Sequence, residues 1–446
     1  MRRLRRRGSS GRFAPLTVVR ALKHRNYRLY FSGQSLSLIG SWMTRLTTSW
    51  LVWRLTHSPE MLGLVGFAGQ VPTFLLASFA GVWVDRLDRR RLLVITQVLA
   101  MIQSLTLAAL TLCGVIQVWQ ILALQLLQGV INAFDMPGRQ SFLVQLVEDR
   151  SDLPNAIALN SSMVNGARLV GPSIAGLLIA WVGEGWCFLV DGLSYLAVIA
   201  SLFAMRLSAG RPAARERRVL QDLRDGFGYV RRFVPIRSIL LLLTLIGLVG
   251  MPYSVLLPII ASRTLHGGPH TLGFLMGAMG VGALGGALHL ASRRSVVGLG
   301  GLIPLAAGTF GVSLIALGLS RSVVLSLLVM VSTGAGFMTH MASSNTLIQT
   351  LVREDMRGRV MALYTMAFMG MAPFGSLAAG AVAARIGAPQ TILACGIICV
   401  LGALVFRRQL PALREIVRPI YVERGILPAV ATGLGNTVTL REETGQ

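Results

Sequence analysis

Long stretches free of Asp, Glu, Lys and Arg alternate with short arginine-rich blocks along this chain. The charge-free runs cover 61–84, 92–134, 238–262, 264–292, 295–320, 322–352, 360–384 and 386–406. A single membrane crossing needs about 20 apolar residues, so every run is long enough for one. The 43-residue run 92–134 is read as two helices turning near Cys113 and Gly114. Strand-like alternation of apolar and polar residues is absent, which excludes a membrane barrel. The expected helices are 29–53, 61–84, 92–112, 117–138, 157–181, 186–206, 238–260, 269–291, 297–318, 322–345, 361–383 and 388–406. The fold class expected is an all-α polytopic membrane protein with twelve transmembrane helices.

Composition changes this picture in one respect. Only 13% of the 446 residues are charged, against about 25% in a typical soluble domain, yet the net charge is +24. Distributed over the twelve helices, 36 Lys or Arg fall at one end and only Arg54, Arg263, Arg321 and Arg385 at the other. Under the positive-inside rule this asymmetry places both termini in the cytoplasm. The positive excess is therefore topological, and nucleic acid is not an expected partner. Residues 1–28 lack a short apolar core with a cleavage site and read as a basic tail lying against anionic lipid headgroups. The four cysteines sit in or beside apolar segments without ligand spacing, so no metal site, disulfide or cofactor is expected.

The charged stretch 207–237 divides the helices into two sets of six. The domains expected are a cytoplasmic tail (1–28), a first six-helix bundle (29–206), a cytoplasmic linker with an amphipathic helix over about 216–232 (207–237), a second bundle (238–406) and a C-terminal tail (407–446). The tail is read as a short helix followed by a disordered stretch. A weak echo between 146–176 and 351–380 points to duplication, because each has a charged loop followed by a helix with Gly-Pro or Ala-Pro partway along. Parallel six-helix repeats suit two bundles that rock around a central site.

The loop GVWVDRLDRRR (81–91) resembles the signature of the major facilitator superfamily. The resemblance implies that fold and a conformational latch: Gly81 for close helix approach, Asp85 as the carboxylate of the half-to-half lock, and Arg86, Arg89 and Arg90 bracing the loop. The equivalent second-half loop, GALHLASRR (286–294), lacks the acidic residue. The segments ALKHRNYRLYFSGQSLSLIGSWM (21–43), DMPGRQSFLVQLV (135–147), NGARLVGPSIAG (165–176), DLRDGFGYVRR (222–232) and MALYTMAFMGMAPFGSLAAG (361–380) resemble the bacterial subgroup of enterobactin-type exporters. That subgroup is also called the transmembrane secretion effectors. Gly171-Pro172, the expected kink of helix 5, resembles an element associated with antiporters, which implies export.

Ionisable side chains inside a bilayer are costly and default to function. Arg45 lies deep in helix 1 and either serves transport or snorkels outward. Asp135 precedes Arg139 by four residues, so it either pairs locally or serves as a protonatable cavity carboxylate. Arg168 in helix 5 has no acidic residue within four positions and must find a partner on another helix, a substrate anion or water. Asp191 in helix 6 is either that partner or a second proton site, while Glu184 in the 5–6 turn is expected to be solvated. Gln34 and Gln70 are further candidates to line the path. The glycines 273, 277, 280, 282, 285 and 286 make helix 8 a close-packing surface.

No nucleotide-binding loop occurs, and no cluster of nucleophiles and bases suggests an enzyme. The function expected is secondary active transport by alternating access. Protons are the expected coupling ion, exchanged for small amphipathic molecules such as siderophores or drugs, and a monomer suffices. A lipid or lysolipid flippase, a small-solute uptake carrier or a uniporter of the same fold is the alternative.

Overall fold

The computed structural model describes residues 19–147, 149–206, 219–293 and 295–426, and at 77–79, 81, 82, 85, 86, 219 and 220 it describes the backbone alone. Most of the N-terminal tail, the first part of the linker and the end of the C-terminal tail thus lie outside the described residues, as do the side chains of Gly81, Asp85 and Arg86.

Every regular element described is helical. A short 3-10 turn (Arg20–Lys23) leads into α1 (Arg25–Thr56), α2 (Pro59–Arg86), α3 (Arg89–Leu112), α4 (Val118–Leu143), α5 (Leu153–Val182) and α6 (Glu184–Ala204). A linker helix (Val219–Arg232) precedes α7 (Val234–Thr264), α8 (Pro269–Ala291), α9 (Leu299–Leu319), α10 (Val323–Leu351), α11 (Glu354–Ile386) and α12 (Ala388–Glu423). Among the described residues nine of these are long and apolar enough to cross a membrane. The helices α1, α2 and α4, of 32, 28 and 26 residues, also have the length.

Local chemistry sets the ends. Ser58 caps α2 by accepting from the Met61 N–H, with Pro59 in the first turn, and Asp88 caps α3 by accepting from the Arg91 N–H at 3.0 Å. Gly183 and Gly387 hold φ near +90° at the turns before α6 and α12, a conformation that favours glycine.

Three elements depart from the expected map. Two π-helical segments, Ile246–Gly250 and Ile260–Thr264, interrupt α7 around Pro252 and Pro258, since each proline lacks the N–H that an α-helical ladder needs. The helix α11 breaks at Gly370 and Met371 ahead of Pro373. The C-terminal segment is not a separate short helix: α12 continues to Glu423 through Pro411 and Pro419, with Leu413 and Tyr421 buried.

The packing repeats. Within α1–α6, α2 packs on α4, and α3 packs on both α4 and α6; α8 on α10, and α9 on α10 and α12, match them one for one. The two lobes meet along α5–α8 and α2–α11. Lipid offers no hydrophobic drive between helices, so close contact of small residues takes its place. At Gly273 a Cβ would lie 2.6 Å from the Pro172 carbonyl and 3.0 Å from Gly176 Cα; at Gly63 it would lie 2.6 Å from the Ser376 carbonyl and 3.0 Å from Gly380 Cα. Five of the six glycines of α8 divide between two faces, whereas a Cβ at Gly285 would meet nothing within 4 Å. Gly273, Gly277 and Gly280 meet α5 of the other lobe, whereas Gly282 and Gly286 meet α10 of their own.

These seams run over only part of the helix length. The α5–α8 contact extends from Gly176–Gly273 through Ser173–Gly277 to Leu169–Gly280; further along α5, a Cβ at Gly166 would meet nothing within 4 Å. One apolar core joins the lobes near the arginine-poor end, through Leu51, Leu257 and Leu272, and within the second lobe extends to Leu351 and Leu413 near the other end. Near the arginine-rich end the first lobe has its own cluster around Tyr27, Tyr30 and Phe142. The lobes converge at one end and diverge toward the other.

Candidate transport site

The deepest charged groups cluster where the α5–α8 seam ends. Gly171 lets α1 and α5 touch, because a Cβ there would lie 2.7 Å from Trp42 Cβ and 2.8 Å from the Ile39 carbonyl. Trp42 thereby lies beside Arg168, one turn away on α5. The Arg168 guanidinium carbon is 5.0 Å from the Trp42 ring centroid, and that of Arg45 is 4.7 Å from the same centroid. Arg168 Nε is buried without a hydrogen-bond partner, and Tyr253 of α7 is its electrostatic neighbour across the seam. The Tyr253 hydroxyl donates to Met279 Sδ at 2.9 Å.

Asp191 is not the partner of Arg168. Its Oδ2 accepts from Thr44 Oγ1 at 2.7 Å and from Ser104 Oγ at 2.9 Å, while Oδ1 is buried without a partner against Gly40. The reason is geometric: α6 packs on α1 and α3 inside the first lobe, and Arg168 faces the inter-lobe seam. Asp135 is buried between α3 and α4, ion-paired with Arg139 and accepting from Thr96 at 2.9 Å and Gln97 at 2.8 Å. Glu184, expected to be solvated, is largely buried and paired with Arg54 at 2.7 Å. That ion pair ties α1 to the start of α6.

Of the neutral candidates, Gln34 is buried at 2% exposure, inside the packed lobe. Gln70 donates to the Gly66 carbonyl at 3.0 Å, one turn back along its own helix. The helix α5 continues as an α-helix through Pro172, whose carbonyl faces Gly273. Arg90 donates to the Phe203 carbonyl at 3.0 Å and stacks on that ring, which braces the 2–3 loop against α6. Arg89 lies in the first turn of α3.

Sequence reasoning missed Trp42 and the groups that close the arginine-poor end. There Trp53 Nε1 of α1 donates to Ser262 Oγ of α7 at 2.7 Å, and the Arg263 guanidinium covers the same indole at 4.8 Å. At the arginine-rich end Asp152 holds Lys23 at 2.6 Å and His24 at 3.0 Å, and Arg359 pairs with Asp222 and Asp225 of the linker helix. None of the ion pairs described there joins α1–α6 to α7–α12.

Comparison with known proteins fits this geometry. The family described as transmembrane secretion effector matches residues 12–420. The chain is 25% identical over 380 residues to the staphyloferrin A transporter of Staphylococcus aureus, covering 85% of this chain and 95% of that protein. It is 27% identical over 388 residues to the multidrug efflux pump Tap of Mycolicibacterium fortuitum, covering 84% and 93%. A solved POT family transporter in complex with a thioalcohol-conjugated peptide has the same fold, with a TM-score of 0.68 at 13% identity over 87% of this chain and 96% of that one. The chain belongs to the transmembrane secretion effector family of the major facilitator superfamily and is a secondary-active transporter of small molecules, not an enzyme.

Proposed function

We propose that this protein is a twelve-span exporter of the bacterial inner membrane that exchanges small amphipathic molecules for protons by alternating access, as a monomer with both termini in the cytoplasm. The observation that carries the reading is the pair of glycine seams. They hold the lobes together at the arginine-poor end and stop at mid-depth, where Arg45, Trp42 and Arg168 lie. With the arginine-rich end in the cytoplasm, as the positive-inside rule requires, this is a carrier open to the cell interior. The matches to a siderophore transporter and a multidrug efflux pump support export of that kind of cargo.

Four roles follow within the proposal. The seams are the outer gate. Asp191, buried with one oxygen unpartnered, is the proton carrier, since a carboxylate sealed from water is a group whose charge the protein can switch. Asp135 is held by Arg139, Thr96 and Gln97 and serves as a tie between α3 and α4. In the state open to the opposite side Asp85 latches the lobes at the arginine-rich end, with Arg86, Arg89 and Arg90 bracing the loop.

The test uses purified protein in sealed liposomes carrying an internal pH dye and an imposed proton gradient. Proton movement triggered by siderophore-like or drug-like compounds is the expected result. Compound movement with no proton signal would replace antiport with uniport, and redistribution of lysolipid alone would make the protein a flippase.

A further inference from the structure

Two guanidiniums share one indole at mid-depth, and neither has an acidic partner among the described residues. Measured from the Trp42 centroid they lie at 4.7 Å and 5.0 Å, so their carbons are at most 9.7 Å apart. Their charges repel each other. Arg45 is exposed, whereas Arg168 is half-buried with its Nε sealed without an acceptor.

The four buried carboxylates described in the first lobe are engaged elsewhere. Asp191 faces Thr44 and Ser104, Asp135 faces Arg139, Glu184 faces Arg54, and Asp152 holds Lys23 and His24. From the second lobe Tyr253 lies near Arg168, and its hydroxyl proton is donated to Met279. Stacking on an aromatic face recovers only part of what a guanidinium loses on leaving water. Two guanidiniums without a carboxylate among the described residues, where the α5–α8 seam ends, make a site that favours an anion. Guanidinium matches a planar carboxylate in shape, with two parallel N–H donors to two oxygens.

We propose that Arg45, Trp42 and Arg168 form an anion-binding site at the apex of the crevice, and that the transported class is small molecules bearing carboxylates, with any flat apolar part against the indole. The inference rests on the reading of the crevice as the transport path and adds to it the charge of the cargo. It also assigns Arg168 a ligand rather than a purely structural tie, which would need an acceptor on the protein.

The test is equilibrium binding to the full-length protein in phosphatidylcholine nanodiscs, read by tryptophan fluorescence and by thermal shift. The probe is isophthalate, which carries two carboxylates on one ring. Its dimethyl ester is the uncharged control. Wild type should bind isophthalate and not the ester. Arg45→Gln and Arg168→Gln should each weaken binding about 10- to 100-fold, the loss of one charge-assisted bond. Arg168→Lys, which keeps charge without the planar fork, should fall between. Binding of the ester as tightly as the acid would overturn the proposal, and so would equal affinity in wild type and both Gln variants. The wild-type comparison of acid and ester stands even where a variant fails to fold. Repeating the measurement with phosphatidylglycerol in the disc separates the sources of the anion: unchanged isophthalate affinity supports small carboxylates, whereas its abolition by this lipid would assign the site to a headgroup phosphate and overturn the proposal. No gradient is used, so isophthalate binding without proton-coupled transport would sink antiport and leave the site standing. Proton-coupled transport of neutral cargo without isophthalate binding would do the reverse.

Discussion

Substituting Gly273 by alanine gives the sharpest test of the glycine seams. A Cβ there would sit 2.6 Å from the Pro172 carbonyl, 0.4 Å inside the 3.0 Å limit that real Cβ contacts respect, and 3.0 Å from Gly176 Cα. Both obstacles are backbone, so neither can rotate aside, and α5 and α8 must separate. Overpacking of this kind costs about 1–3 kcal/mol. The helix-propensity gain from Gly to Ala, about 1 kcal/mol, applies to both conformations and cancels. Only the state with the seam closed bears the clash, so the equilibrium should shift about 5- to 150-fold toward the state open at the arginine-poor end.

Spin labels at Trp181→Cys and Arg321→Cys, on the two lobes near that end, would report it by pulsed electron resonance. Of the native cysteines only Cys113 is exposed and Cys395 partly so, so replacing these two leaves buried Cys187 and Cys399 in place. Gly273→Ala, Gly176→Ala, Gly63→Ala and Gly380→Ala should each lengthen the distance distribution. Gly166→Ala, which meets nothing within 4 Å, should leave it unchanged. If Gly273→Ala left the distribution as in wild type, or Gly166→Ala moved it as far, the seams would not be the gate.

Other outcomes follow from single contacts. Trp53→Phe removes the 2.7 Å bond to Ser262, worth about 1 kcal/mol, and should shift the same distances roughly fivefold toward the open form. Asp135→Asn strands the Arg139 charge and should destabilise the protein by about 3–5 kcal/mol in thermal or denaturant unfolding, whereas the double variant Asp135→Asn/Arg139→Gln should recover most of that. Asp191→Asn keeps an acceptor for Thr44 and Ser104 and should fold normally while losing proton movement in the liposome assay. Retained proton movement would remove Asp191 from the coupling path.

The helix positions were legible because charge is expensive in lipid, and α8 coincides with its expected span, 269–291. Helix ends were less so: Arg25 and Arg28 belong to α1 and Arg407 and Arg408 to α12, because a helix does not stop where the apolar run does. The repeat was more legible than the weak 146–176 echo suggests. Pro59-x-x-Leu62-Gly63 opens α2 and Pro269-x-x-Leu272-Gly273 opens α8, and both glycines fill the same role at the seams. What the sequence hid was partnership. Arg168 meets Trp42, and Asp191 meets Thr44 and Ser104, across separations of 87 to 147 residues that no local spacing encodes. The division of the α8 glycines between two faces likewise depends on which helices flank them.

The most direct test of alternating access is to tether the lobes at the arginine-poor end. Trp53→Cys and Ser262→Cys, joined by a short reducible cross-linker, would hold α1 to α7 where those side chains now touch. The account predicts that cross-linked protein binds isophthalate from the arginine-rich side but moves no cargo, and that reduction restores transport. Full transport with the link intact would contradict it.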